Sequence, residues 1–264
     1  HGSRNVASTR AAGSYQTTLA LGGWLPVKTI RATVMQRPTV TVCGTPFGVK
    51  MFSEGALVVG FSEVHTAAGT INPAKQAGLR LGAYIYSYAT SVEMAQQEAD
   101  FVLNLIKDYP ISFPVVFDAE DANTLGTLTQ SQVSDVINAF CKRIQDAGYY
   151  PMVYANEYWI ANKIDMSKIS YDIWVAKYQQ KYTYSKTSMW QASNTGSVKG
   201  VNGNVDIDYL YKDYTQIIPG NTWRTIAGNR YYYQNHVMQK AAWINDGQNW
   251  YYMNAAGNPS TGWL

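Results

Sequence analysis

Between residues 74 and 209 the chain alternates short apolar runs with longer segments in which apolar residues recur every three to four positions. The runs Leu81–Tyr88 and Pro114–Asp118 are typical of β-strands, and the second is so uniformly apolar that we expect both of its faces to be buried in a parallel sheet. Further strands are predicted at Pro151–Ala155, Asp172–Ala176 and Met189–Ala192.

Two amphipathic helices are predicted between these strands. Ser91 is expected to cap the first helix, whose apolar stripe ends at Ile106, shortly before Pro110. The second helix is predicted over Thr129–Ala147. Strand–helix–strand repetition over this length predicts a parallel α/β barrel rather than a β-sandwich.

The last part of the sequence carries a short repeat. Three tryptophans are spaced 20 residues apart, at Trp223, Trp243 and Trp263. The segment Gly228-Asn-Arg-Tyr-Tyr-Tyr recurs 19 residues later as Gly247-Gln-Asn-Trp-Tyr-Tyr. A fixed period of this length predicts small β-hairpins that bury their faces by stacking on one another. We therefore divide the chain into a barrel over residues 1–215 and an aromatic hairpin array over residues 220–264.

Composition and charge narrow the classes of function. With 46% apolar and 15% charged residues the chain can bury a core, and its net charge of +3 is too small to indicate nucleic-acid binding. No apolar run approaches the roughly 18–20 residues of a membrane helix, so no membrane span is predicted. The sequence begins at His1 without an initiator Met or a signal peptide, and we interpret it as a processed or partial product.

Cysteine and histidine offer little for metal or triad chemistry. Cys43 and Cys141 are predicted to be buried or free thiols, and the histidines His1, His65 and His236 are scattered along the chain. No metal site and no cofactor are predicted, and the candidate chemistry is that of carboxylates. The 21 Tyr and 8 Trp residues are unusually many, and such rings also form sugar-binding surfaces.

Asp118 and Glu120 stand where the Pro114–Asp118 strand is predicted to end. Residues i and i+2 of a strand share a face about 6.5–7 Å apart, and the carboxyl ends of barrel strands carry active sites. Close carboxylates raise the pKa of one of them, so that one can donate a proton while the other stays ionised, as glycosidic cleavage requires. The alternative is a solvated pair at a strand end. Asp121 points to the other face if the strand continues, and it is interpreted as a cap.

A second alternation of acids, Asp206 and Asp208, follows the strand that contains Gln191. These two carboxylates share a face if the chain is extended, and they either reach the same pocket or are ordinary loop acids. Five aromatic residues on predicted strands either pack in the core or form walls that stack on sugar rings; they are Tyr84, Tyr86, Tyr154, Trp174 and Trp190.

Five segments taken together resemble glycoside hydrolase family 25, the Chalaropsis-type lysozymes or N-acetylmuramidases. The segments are LGAYIYSY from Leu81, PVVFDAE from Pro114, PMVYAN from Pro151, DIWVAKY from Asp172, and MWQ with GNVDID from Met189 and Gly203. The resemblance covers about Ile71–Tyr211 and implies an irregular (β/α)5β3 barrel of TIM-like type. The C-terminal hairpins resemble the choline-binding-type repeats of cell-wall proteins.

The resemblance implies a secreted, wall-associated enzyme that cleaves the β-1,4 bond between N-acetylmuramic acid and N-acetylglucosamine in peptidoglycan. Cleavage would proceed with retention, through the substrate's own N-acetyl group, without metal or cofactor. Glu120 would be the general acid/base, Asp118 would orient the N-acetyl group, and Asp206 would be a further acid of the site.

Two sets of binding residues follow. The side chains expected to contact the glycan strand are Tyr84, Tyr86, Tyr154, Trp174, Trp190, Gln191 and Asp208. The side chains expected to bind the wall, through choline or another wall polymer, are Trp223, Trp243, Trp250, Tyr252 and Trp263.

Residues 1–70 match the family poorly. Only Ser14-Tyr15-Gln16 agrees with the family's opening D-x-S-x-Y-Q-G pattern, and Ala11 stands where its Asp is expected. A frameshift over residues 17–69 would produce this poor match to the family, and so would real divergence of the sequence. The missing Asp leaves open a wall-binding protein on a catalytically impaired barrel. A chitinase-like glycosidase, which also uses a carboxylate pair and N-acetyl participation, is a less favoured alternative, because the acids it needs upstream of Asp118 are missing.

Overall fold

The computed structural model describes residues 80–178, 180–197 and 203–261 in full, together with the backbone of six strands that precede them. The chain divides into two compact units, His1–Thr39 and Val40–Leu264. The first unit contains an antiparallel hairpin of β1 (Gly13–Leu21) and β2 (Leu25–Val34). The other elements belong to the second unit.

An eight-stranded sheet forms the centre of the second unit. Five of its strands are parallel and adjacent in chain order: β7 (Leu81–Tyr86), β8 (Ile111–Asp118), β9 (Pro151–Asn156), β10 (Asp172–Ala176) and β11 (Thr187–Gly196). Three strands extend it in antiparallel pairings: β12 (Val205–Leu210) beside β11, β3 (Val40–Gly44) beside β12, and β4 (Ala56–Val58) beside β7. A separate ladder joins β5 (Val64–Thr66) and β6 (Gly69–Ile71). The fold is mixed α/β, with the central sheet curled into a half-barrel.

Two helices lie between the parallel strands where the periodicity predicts them, α1 (Val92–Ile106) after β7 and α2 (Gln130–Asp146) after β8. A third, short helix that the sequence analysis did not predict, α3 (Glu157–Asn162), follows β9. The Ser91 hydroxyl accepts a hydrogen bond from the Met94 amide, which confirms the predicted cap of α1. At α2, Thr129 and Gln132 form a reciprocal capping box.

Side-chain alternation along the strands produces two apolar layers. Val115 and Phe117 of β8 pack outward with Phe140 of α2, whereas Val116 faces the opposite, concave side with Met152 of β9. All these side chains are buried. The prediction that this strand is covered on both faces is therefore confirmed.

The strand β8 begins three residues earlier than the pattern predicts, at Ile111 rather than Pro114. Proline has no amide hydrogen, which usually keeps it out of a strand interior. Here the register between β7 and β8 shifts between Leu81 and Ala83, so the ladder is already interrupted beside Pro114. Gly82 fits this crossing because a Cβ atom there would lie 2.8 Å from the Pro114 carbonyl oxygen.

The C-terminal part consists of two successive small sheets. The first contains β13 (Thr222–Ile226), β14 (Asn229–Gln234) and β15 (Val237–Met238), and the second contains β16 (Ala242–Asn245) and β17 (Trp250–Met253). The repeat in the sequence corresponds to a repeated cross-strand pair, Trp223 with Tyr232 in one hairpin and Trp243 with Tyr252 in the next. Trp263 lies outside the described residues.

The first of these hairpins shares its core with the central sheet and helices. Ile226, Tyr231, Tyr233 and Met238 belong to the same buried cluster as the outward side chains of β8 and the inner face of α2. The Thr225 amide also donates to the carbonyl of Ala147 at the end of α2. The boundary between a barrel over 1–215 and an array over 220–264 stays a prediction, because packing is continuous across it.

A buried arginine lies at this junction. Arg224 is 1% exposed, and its guanidinium carbon lies 3.9 Å from the ring centre of Tyr149 and 4.3 Å from that of Tyr233. One terminal nitrogen donates to the carbonyl of Ile111 at the start of β8. The hairpin therefore packs at the amino ends of the parallel strands, opposite the end where Asp118 lies.

Cys141 is a buried, free thiol, as predicted, whereas the side chain of Cys43 lies outside the described residues. None of the described helices is long and apolar enough to cross a membrane. In the same part of the chain, no group of three or more His, Cys, Asp or Glu side chains is arranged to hold a metal ion.

Candidate active site

The strand register brings four side chains into one row at the carboxyl ends of the parallel strands. In order across the sheet they are Tyr86, Asp118, Tyr154 and Trp174. The Ala119 amide continues the ladder by donating to the carbonyl of Tyr154, so the chain stays extended beyond Asp118. Because side chains alternate along extended backbone, Glu120 lies on the same face as Asp118, one row further out.

The two strand-end carboxyl groups differ in burial. Asp118 is 5% exposed, and burial followed by the charge of Glu120 raises its pKa well above the ordinary value. Glu120 is half-buried, and burial followed by the charge of Asp121 raises its pKa as well. The Oδ1 atom of Asp118 has no hydrogen-bond partner among the described residues. The pair can therefore hold a proton at a pH where an exposed pair would have lost it.

A third carboxyl group, Asp206, reaches the site from β12. Gln191 connects it to the aromatic wall: its Oε1 accepts hydrogen bonds from the hydroxyls of Tyr154 (2.7 Å) and Tyr178 (3.2 Å). The Gln191 side chain also forms a hydrogen bond with Asp206. Burial raises the pKa of Asp206, and this hydrogen bond offsets part of the rise. The neighbouring Asp208 is fully buried and accepts a hydrogen bond of 2.8 Å from the indole of Trp174.

Tyr84 lies near enough to all three carboxyl groups for their charges to act on its hydroxyl. Burial, and then the charges of Asp118, Asp206 and Glu120 in that order, raise the pKa of Tyr84 to about 12. The charge of a carboxylate raises the pKa of a phenol only when the two groups lie close together, so all three carboxyl groups lie close to Tyr84. The structure thus brings together the three acids that the sequence pointed to, with Tyr84 among them.

Asp121 lies beside this pocket and holds the loop that follows β8. Its Oδ1 accepts hydrogen bonds from the amides of Asn123 (2.9 Å) and Thr124 (2.8 Å), so it caps the turn that follows β8. The expectation that it points away from the site is wrong, because the chain turns after Glu120. Its Oδ2 accepts a hydrogen bond from the hydroxyl of Tyr86 at 3.3 Å. Asp121 therefore has a second effect that the sequence did not show, because its charge also raises the pKa of Glu120.

Trp190 is not brought together with the other predicted substrate-binding residues. It precedes Gln191 on β11, so it faces the opposite side of the sheet. There its ring stacks on Tyr209 with centroids 5.0 Å apart, and its indole donates to the carbonyl of Lys177. Tyr178 lies at the site instead. The alternation along DIWVAKY gave the signal for it, because Tyr178 is two residues beyond Ala176 and four beyond Trp174.

The predicted wall-binding rings do not form a single group. Trp243 contacts Tyr252 within its own hairpin, with centroids 5.5 Å apart, and both Trp243 and Trp250 are more than half exposed. The ring contact between the two hairpins is made by Trp223 and Tyr251, with centroids 5.0 Å apart. Sequence reasoning missed Tyr251, although the 20-residue period carries Tyr231 onto it.

The family model for glycosyl hydrolases family 25 matches residues 61–201, which is more than half of the chain. The chain belongs to glycosyl hydrolases family 25. The matched region of this family 25 chain contains Asp118 and Glu120, whereas Asp206 lies five residues beyond its end.

Individual relatives cover about half of this family 25 chain. The uncharacterized protein YegX of Escherichia coli K12 is 28% identical over 138 residues, which are 51% of this chain and 49% of YegX. The chain thus spans about half the length of the curated relatives it matches. Among solved structures, the CTP1L endolysin is 28% identical, with 55% of this chain and 51% of that chain covered and a TM-score of 0.47. The modular autolysin LytC from Streptococcus pneumoniae is 25% identical, with 53% of this chain and 36% of LytC covered and a TM-score of 0.47.

Proposed function

We propose that this family 25 chain is a peptidoglycan hydrolase, an N-acetylmuramidase that cleaves the β-1,4 bond between N-acetylmuramic acid and N-acetylglucosamine with retention. The observation that carries the proposal is the pair of strand-end carboxyl groups, Asp118 and Glu120, whose pKa values are both raised in a pocket lined by aromatic rings. Membership of a glycoside hydrolase family supports it.

In the proposed mechanism Glu120 begins as the acid. It donates its proton to the glycosidic oxygen while the bond from that oxygen to the anomeric carbon breaks. The carbonyl oxygen of the substrate's N-acetyl group attacks the anomeric carbon from the other side and forms a cyclic intermediate. Asp118 would accept the N–H of this acetamido group through its Oδ1, a buried atom that has no hydrogen-bond partner in the described chain and that the sugar must reach on binding. Glu120, now a carboxylate, then takes a proton from the water that opens the ring, and the two inversions retain the configuration.

The surrounding side chains would position the sugar. Tyr84 and Trp174 offer ring surfaces for stacking, and Tyr154 and Tyr178 hold Gln191 in place. Asp206, held by Gln191, would contact the substrate's hydroxyl or amide groups. A pocket whose polar groups are fixed in this way aligns the substrate without reorganising on binding.

The finer description of fold and location also belongs to this proposal. Five parallel strands in chain order, extended by three antiparallel ones, agree in number and direction with a (β/α)5β3 barrel. We assign residues 220–264 to a hairpin array that binds the cell wall, and we place the protein outside the cell, attached to its wall.

Product analysis tests the proposed bond specificity. Incubation of purified peptidoglycan with the protein is expected to reduce turbidity and to release muropeptides whose new reducing ends are N-acetylmuramic acid. Borohydride reduction and mass spectrometry of the products measure this. N-acetylglucosamine at the reducing ends would exclude a muramidase. Tight wall binding without any release would instead favour the impaired barrel that Ala11, in place of the family's opening Asp, suggests.

The pH profile tests the influence of Asp121 on Glu120. In Asp121→Asn the remaining Oδ1 can keep the bonds to the loop amides, but the charge that raises the pKa of Glu120 is lost. The pKa of Glu120 then falls, so its acid form is lost at lower pH. We expect the alkaline limb of the kcat profile to move to lower pH. Asp135→Asn, an exposed charge change on α2, is the control. An unmoved alkaline limb would contradict the assignment of Glu120 as the acid or of Asp121 as its modulator.

A further inference from the structure

An open cleft of ≈ 470 Å³ is lined by residues of both the first and the second C-terminal hairpin. Its lining combines aromatic rings with polar and charged groups, among them Trp223, Tyr232, Tyr251, Arg230, Asp246 and Gln248. The rings are fixed by edge-on contacts, since Trp223 meets Tyr232 with centroids 5.1 Å apart and Tyr251 with centroids 5.0 Å apart. The cleft therefore depends on both hairpins.

The chain's own cation already occupies the ring of Trp223. The guanidinium carbon of Arg230 lies 4.2 Å from the centre of that ring, which is a cation–π distance. A quaternary ammonium group such as choline would have to displace Arg230 to reach the face of the ring on which the guanidinium lies. This geometry argues against choline, the ligand expected from the sequence resemblance, at this cleft.

The two charged side chains of the cleft, Asp246 and Arg230, differ in how many partners they have within the chain. The Asp246 carboxylate accepts hydrogen bonds from the Trp223 indole and from the backbone amides of Gln248 and Asn249. Arg230, by contrast, forms no ion pair with any carboxylate in the part of the chain that the structure describes. Its guanidinium carries five N–H donors in a planar fork that matches a carboxylate or a phosphate. The Arg230 guanidinium is therefore the charged group of the cleft that is available to a ligand, and it can donate hydrogen bonds to an anion.

We propose that this cleft binds an acidic saccharide, a sugar ring that carries a carboxylate or a phosphate group. Arg230 holds the acidic group, while Tyr251 and the side chain of Gln248 contact the ring and its hydroxyls. That the saccharide comes from the cell wall rests on the function proposed above. The chemistry of the cleft itself does not depend on the catalytic site.

Calorimetric titration of the full chain with four small probes tests this. The probes are N-acetylmuramic acid, N-acetylglucosamine 6-phosphate, neutral N-acetylglucosamine and choline. We expect at least one acidic sugar to bind more tightly than the neutral sugar and choline, with an affinity that falls as salt is added. Arg230→Ala should weaken that binding about tenfold, as expected for a lost charged hydrogen bond. The acidic sugar that depends on Arg230 identifies the carboxylate or the phosphate as the recognised group.

Lys142→Ala, which removes a cation from the exposed face of α2, is the matched control and should leave all four affinities unchanged. Choline binding tighter than that of both acidic sugars, or acidic-sugar binding unchanged in Arg230→Ala, would overturn the assignment. Wall lysis measured on the same samples separates the two proposals. A protein that binds the acidic sugar through Arg230 but releases no muropeptides would refute the muramidase and leave the cleft assignment standing.

Discussion

Glu120→Gln is expected to lower the rate of wall lysis by about 10²–10⁴-fold. The amide keeps the shape of the side chain but has no proton to donate to the glycosidic oxygen and cannot later accept one from water. Glu120 lies beyond the end of β8 and is only half-buried, so the midpoint of thermal unfolding should stay the same. Turbidity loss of purified walls and scanning calorimetry measure the two quantities.

Asp118→Asn is the informative companion to this variant. It replaces the carboxylate proposed to accept the acetamido N–H by an amide, whose single oxygen is an uncharged and weaker acceptor, and it removes the charge that contributes to the raised pKa of Tyr84. Activity should fall while the fold is retained, because an amide is less costly than a carboxylate at a buried position. If Glu120→Gln lyses walls as fast as the unmodified protein, Glu120 is not the acid. If Asp206→Asn costs more activity than Asp118→Asn, the roles of these two residues are reversed.

The parallel strands and their helices could be predicted because their signals are local. Ser91 and Thr129 cap helices, and the run that ends at Asp118 is apolar on both faces. The predicted ends of the strands were less accurate where contacts with a neighbouring strand determined them. Pro114 marks a strand start by its own preference, yet β8 continues past it because the neighbouring strand shifts register there.

The sequence could predict those parts of the candidate site that depend only on the alternation of side chains along one strand. Asp118 and Glu120 share a face for that reason, and the same rule separates Gln191 from Trp190. The resemblance identified which segments carry the site, but it could not say which side of β11 faces the carboxyl groups. The influence of Asp121 on Glu120 was also hidden, because a cap and a charged neighbour have the same sequence signature.

The position of the first C-terminal hairpin could not be predicted from the sequence. An arginine between Trp223 and Thr225 in a short aromatic strand is expected to reach solvent. In the structure Arg224 is buried because its guanidinium is enclosed by the ring of Tyr149, from a distant segment, and by that of Tyr233, from the paired strand β14. The repeat period locates the hairpins along the chain but says nothing about the surface on which the first one packs.

Arg224→Ala is expected to lower the free energy of unfolding by about 3 kcal/mol, because it leaves a cavity in the core and removes two cation–π contacts. Arg224→Met is the matched variant, since it refills most of the volume without the charge. Burying a cation has its own cost, so the methionine variant should regain at least half of the loss. Chemical denaturation of both variants measures the difference.

The same packing predicts that two truncations of the C-terminal part behave differently. A chain that ends at Lys240 keeps Arg224, Tyr233 and the ion pair between Lys240 and Asp108, and it should stay folded and still cleave small glycan oligomers. A chain that ends at Pro219 also loses the four apolar side chains that the first hairpin contributes to the core of the central sheet, each worth about 1.5–3 kcal/mol, and should fail to fold stably because native domains hold only about 5–15 kcal/mol in total. If the shorter chain melts at the same temperature as the longer one, the first hairpin is a separable module and the role assigned to Arg224 is wrong.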